Sequence, residues 1–149
     1  MSSIKKQEYF EKVYKNIEIN GFHTTYVIEE LNFTPFGYST GIYKNFKIPE
    51  LFISGLPANL TGELIKNYVE KYKFKSILLN KKIDDLTDRF PVYFIKVTNE
   101  SLNEHVLSSI KYYEDNKYEY LQLIFPDLKG HFPNEVDYNY DQKIFGVLI

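Results

Sequence analysis

Three strand-like segments follow one another before any long helix intervenes, and this ordering limits the fold more than any other feature of the 149 residues. Phe22 to Ile28 carries Thr24, Thr25, Tyr26 and Val27, residues suited to a pleated surface. A second segment covers Phe36 to Ile42, and a third covers Leu51 to Ser54 after Pro49. Parallel neighbours need a crossover of about a dozen residues or more, usually a helix, so segments this close in sequence pair antiparallel. Helical spacing precedes them, with Phe10, Val13, Tyr14 and Ile17 on one side of Ser3 to Ile19 and Asn20-Gly21 as the stop. Pro57 opens a second helix with Leu60, Leu64, Ile65, Tyr68 and Tyr72 as its apolar stripe. Phe74 to Leu79 reads as a short strand or a packed loop, and Lys81 to Arg89 as a polar loop or a short turn of helix.

Pro91 to Val97 reads as a strand, and Ser101-Leu102-Asn103-Glu104 as a capping box opening a third helix with Leu102, Val106, Ile110 and Tyr113. Tyr118 to Phe125 is a further strand, Pro126 to Asn139 is rich in turns, and Lys143 to Leu148 is expected to close the sheet. No repeat or low-complexity linker marks a second domain. The expectation is a single α+β domain over residues 1–149, with an antiparallel or mixed sheet of about five to six strands and about three helices packed on it.

Composition narrows the function classes. A hydrophobic fraction of 44% supports a core of ordinary size without staples. Cysteine is absent, which removes disulfides, thiolate metal sites and cysteine nucleophiles together. The 18 basic and 20 acidic residues leave a net charge of −2, without the basic footprint that nucleic-acid binding leaves. Arg89 is the only arginine, so forked recognition of phosphates has little to work with. The 14 tyrosines and 12 phenylalanines run through the whole chain and read as core rather than as base-stacking platforms. The opening Met1-Ser2-Ser3-Ile4-Lys5-Lys6 leads into polar residues, and no apolar run approaches the roughly 18 residues of a membrane span. A cytoplasmic protein without membrane contact is expected.

Gly37-Tyr38-Ser39-Thr40-Gly41 matches the G-x-S-x-G nucleophile elbow, which has meaning only on a sharp turn between strand and helix. Ile42 to Ile48 alternates and then meets Pro49, a pattern that leaves no helix there and makes Ser39 a strand residue. Asp127, His131 and Glu135 stand four apart, a metal arrangement on a helix. Gly130 and Pro133 interrupt any such helix, so Asp127 reads as a turn residue bonding its own backbone. Neither G-x-x-x-x-G-K-[ST] nor G-x-G-x-x-G occurs. The residues therefore give no catalytic set, no metal ligands and no cofactor.

Three ordered blocks carry a resemblance: Pro35-Phe36-Gly37-Tyr38-Ser39-Thr40-Gly41-Ile42-Tyr43, Pro49-Glu50-Leu51-Phe52-Ile53-Ser54-Gly55-Leu56-Pro57, and Tyr120-Leu121-Gln122-Leu123-Ile124-Phe125-Pro126-Asp127 with Gly130-His131-Phe132-Pro133. From about Gly21 to Gln142 the chain resembles the bacterial family known as domain of unknown function 4262. That family carries no activity to transfer. Its pattern has threonine at the position of Ser39, and Gln-Pro where this chain has Gln142-Lys143.

Two classes of function stand side by side. One is a binding or interaction module, immunity-like or regulator-like, that recognises a protein or peptide. The other is a small enzyme or small-ligand sensor using a tyrosine and carboxylate site. The absence of a catalytic set tips the balance toward binding. The candidate ligand- or partner-binding residues are Tyr38, Thr40, Glu50, Gln122, Asp127 and His131. Tyr38, Glu50 and Asp127 are expected to share one neighbourhood, because each stands at or near a strand end.

Overall fold

The computed structural model describes residues 3–28 and 34–148; the reading of Met1 and Ser2 lies outside them. The chain runs α1 (Ser3–Asn20), β1 (His23–Val27), β2 (Phe36–Thr40), α2 (Ile42–Phe46), β3 (Glu50–Ser54) and α3 (Ala58–Tyr72). It continues through β4 (Tyr93–Val97), a 3-10 turn (Glu100–Leu102), α4 (Leu107–Tyr113) and β5 (Tyr120–Ile124). The strands form one mixed sheet in the order β1-β2-β3-β5-β4. As their short connections require, β1–β2 and β2–β3 pair antiparallel. The long excursion through α3, β4 and α4 allows β5 to return parallel to β3, with Glu50 opposite Tyr120. The fold is α+β.

Strand periodicity divides the core into two layers. Leu51, Ile53, Phe94, Leu121 and Leu123 face one side, where Leu64, Ile65, Tyr68 and Tyr72 of α3 cover them. Phe36, Tyr38, Phe52, Ile95, Tyr120 and Ile124 face the other side, against Leu102, Val106, Phe132 and the C-terminal Ile144, Phe145 and Leu148. β2, β3 and β5 are buried throughout because both faces are covered. α1 ends where Gly21, at φ 88, returns its N–H to Ile17 O at 2.8 Å.

Three sequence expectations need correction. A helix, α2, does follow β2: its first N–H groups are met by a carboxylate from β3, which local alternation could not reveal. Of the two readings of Phe74 to Leu79, the loop is the one that forms. The capping box does not form; Thr98 Oγ1 instead accepts the Ser101 N–H at 3.1 Å, and α4 begins only at Leu107 without a side-chain cap. Residues 143–148 are not a strand. Ile144, Phe145 and Leu148 pack against the sheet, but the Gln122 side chain replaces the main-chain ladder.

Candidate functional site

Tyr38, Thr40 and Glu50 belong to one buried polar network built by β2, β3, β5 and α4. At its centre the Glu50 carboxylate, fully buried, accepts from Ser39 Oγ at 2.7 Å and from the Gly41, Ile42 and Tyr43 N–H groups at 2.8, 3.1 and 3.2 Å. The Tyr113 hydroxyl is a fifth donor. The three N–H groups open α2 and have no partner within the helix, so Glu50 caps it from a neighbouring strand. Gly41 makes this possible at φ 108, where an added Cβ would lie 2.9 Å from Gly21 O. Burial pushes the Glu50 carboxyl above its usual range, while the donors from Tyr113, Ser39, Tyr43 and Gly41 work against it. Burial and the adjacent carboxylate both push the Tyr113 phenol up.

Ser39 Oγ also accepts the Leu51 N–H at 2.9 Å. It lies inside β2, buried and committed to two partners, so the helix after Gly41 does not make a nucleophile elbow of it. The Tyr120 hydroxyl donates to Ser39 O at 2.6 Å and shares a 2.6 Å bond with Ser109 Oγ, which meets Thr40 Oγ1 at 2.6 Å. The Tyr38 hydroxyl accepts the Ser108 N–H at 3.0 Å. Burial raises its pKa, with Ser108 opposing.

Gln122, Asp127 and His131 lie elsewhere. Gln122 is buried mid-strand; its Nε2 donates to Lys143 O at 2.6 Å and its Oε1 accepts the Phe145 N–H at 2.9 Å. Gln142 answers from the other side, bonding both Phe125 N–H and Phe125 O at 3.2 and 2.9 Å. Asp127 follows β5 and organises its loop, accepting the Lys129, His131 and Asn139 N–H groups at 2.9, 2.8 and 2.9 Å. Desolvation would raise its carboxyl, but those three N–H groups and the His131 ring hold it below the usual range. His131 Nδ1 is 3.5 Å from Asp127 Oδ2, a near contact rather than a hydrogen bond. Residues 127–135 form turns, not a helix, so the fourfold spacing brings Asp127 and His131 together but does not gather all three side chains into a ligand set. Among the described residues no group of three or more such side chains is placed to hold a metal.

The expected meeting of Tyr38, Glu50 and Asp127 does not occur. Parallel pairing sets Glu50 beside Tyr120 at the start of β5, whereas Asp127 lies beyond its far end at Ile124. Four strand steps, about 13 Å, already separate the two ends.

Two concave surfaces lie at the Glu50 end of the sheet. A cleft of about 600 Å³ runs between the chain entering β3, the end of β4 and the start of β5, with Lys47, Lys75, Lys96, Thr98, Asn99 and Tyr118 on its walls. A second, also about 600 Å³, lies between α2 and the end of α4, walled by Tyr43, Lys44, Tyr112, Tyr113, Asn116 and Lys117. Lys47 and Glu119 line both. All five lysines are exposed, and none makes an ion pair among the described residues, unlike Lys71, Lys73 and Lys143. Lys47 ends α2 at φ 63, a left-handed conformation that costs a non-glycine residue about 1 kcal/mol. These lysines come from four separate stretches of chain, so no spacing in the sequence announces them.

Residues 16–139 match the family described as Domain of unknown function (DUF4262), which is most of the chain; the protein belongs to that family. No curated protein matches the sequence, and no solved structure matches it.

Proposed function

With membership of that family as the premise, we propose that the protein is a cytoplasmic binding module, immunity- or regulator-like in kind, that recognises a protein or peptide through the two neighbouring clefts. One observation carries this reading: the polar groups divide cleanly by accessibility. Tyr38, Ser39, Thr40, Glu50 and Tyr120 are buried and spend their hydrogen bonds on one another or on α2 and α4. Lysines and tyrosines hold the open surface instead. The tyrosine and carboxylate pair that an enzyme or sensor would need, Tyr113 with Glu50, offers little to a substrate: Glu50 is fully buried, and Tyr113, on a cleft wall but only 3% exposed, spends its hydroxyl on Glu50 and on the Lys44 N–H. A general acid or base must come within hydrogen-bond reach of a substrate, which favours binding over catalysis. Tyrosine is also enriched at protein interfaces. In this reading Tyr38, Thr40, Glu50, Gln122 and Asp127 hold the scaffold and His131 flanks its far loop.

Affinity capture from native lysate tests the proposal, with mass spectrometry on both protein and small-molecule fractions. A stoichiometric protein retained by wild type, lost with the double variant Lys44→Glu/Lys117→Glu and kept with Lys129→Glu at the opposite end, supports it. A small molecule consumed during the incubation, with no protein retained, overturns it in favour of the enzyme.

A further inference from the structure

Resting on that binding reading, we propose that Lys47 is the anchoring cation for an acidic peptide segment lying across both clefts. Lys47 is the one basic residue that lines both, so a ligand spanning them passes its side chain. Its backbone points the same way. At φ 63 the position suits glycine, and the only main-chain duty there, donating the N–H to Tyr43 O, needs no side chain. A lysine at a place that strains it, exposed and without an ion pair, is explained by what the ammonium meets from outside.

The surroundings define the ligand. Lys44, Lys75, Lys96 and Lys117 add positive charge along the same path, against Glu119 as the single carboxylate on the walls. Lysine ammoniums are separate point charges, suited to carboxylates set along a chain rather than to one phosphate gripped by a fork. Asn116 presents an amide group that matches a peptide main chain, the Thr98 hydroxyl and the Asn99 amide nitrogen being spent on Ser101 and on Tyr118 O, and the tyrosine rings offer apolar faces between the charges. Two neighbouring clefts that share Lys47 and Glu119 exceed the needs of a small anion, and the net charge of −2 disfavours nucleic acid.

The test is fluorescence anisotropy at low salt with fluorescein-labelled octaglutamate, using the whole chain as wild type, Lys47→Gly, Lys47→Asn and Lys129→Ser. The expected result is saturable binding to wild type, weakened about fivefold or more by Lys47→Gly and Lys47→Asn and unchanged by Lys129→Ser. The Lys47→Gly thermal midpoint should equal or exceed that of wild type, since the strain is relieved, so lost binding is not lost folding. Equal affinity of wild type and both Lys47 variants overturns the proposal, as does no saturable binding to wild type. Tighter binding of labelled oligothymidylate or inorganic phosphate overturns it too. Should octaglutamate fail while wild type still captures a protein through Lys44 and Lys117, the anchoring role falls and the binding reading stands.

Discussion

Glu50 orders more of its surroundings than any other side chain, because donors from β2, α2 and α4 converge on its two oxygens. Ser39 is the relay in that arrangement, giving its proton to Glu50 and accepting the Leu51 N–H. Ser39→Ala leaves a buried N–H unpaired and the carboxylate one donor short, so it should fold but lose about 1–3 kcal/mol in urea unfolding. The wild type should resist a fluorophosphonate probe; labelling at Ser39 would contradict its committed role. The pH dependence follows from burial, which holds the Glu50 carboxyl above its value of 4.5 in an unfolded chain. The folded state then binds the proton more tightly. This contribution to stability is complete below 4.5 and is lost as pH rises through the folded value. The stability of wild type relative to Glu50→Gln should therefore fall as pH rises above 4.5 through the higher folded value. Should Glu50→Gln not fold, the carboxyl carbon shift in NMR reports the same titration. Asp127 runs the other way: held below its usual value, it stabilises above 3.8 and ceases to as pH falls through the lower folded value.

At the level of elements, Gln122 is the clearest case of a side chain doing a strand's work. Its amide takes the two positions that a neighbouring strand would occupy on Lys143 and Phe145. Gln122→Leu keeps the volume and the apolar contacts but removes both bonds. The expected outcome is loss of amide exchange protection confined to residues 143–148 and a stability loss of about 1–3 kcal/mol. Protection unchanged there would show that packing alone holds the segment. This is also where the sequence stops being legible. β1, β2, β3 and α3 could be read because their apolar spacing and flanking glycine or proline agree with their final surroundings. Ile144, Phe145, Val147 and Leu148 form an apolar run like that of a buried strand, yet the backbone partners are side chains, which composition does not encode. α2 was hidden for a related reason, since its cap is a carboxylate from another element rather than a local serine or aspartate. Glu50 stood out from the sequence as a special residue, whereas its partner Tyr113 looked like one more apolar position of a helix stripe. The clefts were not legible, because Lys47, Lys75, Lys96 and Lys117 meet only after β3, β4 and β5 are aligned.

Over the whole molecule, the formal charge of −2 conceals a polarity. One end of the sheet gathers five lysines against Glu119, while the opposite end is organised by the Asp127 loop. Reversing two exposed charges in Lys44→Glu/Lys117→Glu should leave unfolding stability within about 0.5 kcal/mol of wild type. Partner retention should nevertheless be lost in the same variant, and rising salt should weaken retention by wild type. A fall in stability large enough to explain the loss would place these lysines in the scaffold instead. The cap on α2 bears on the order in which the molecule is assembled during synthesis. Gly41, Ile42 and Tyr43 leave the ribosome before Glu50, the acceptor their N–H groups need, and long before Tyr113. A helix of five residues does not persist by itself. The turn that carries Lys47 therefore stays unformed until β3 arrives, and it gains its last donor only once α4 has been made.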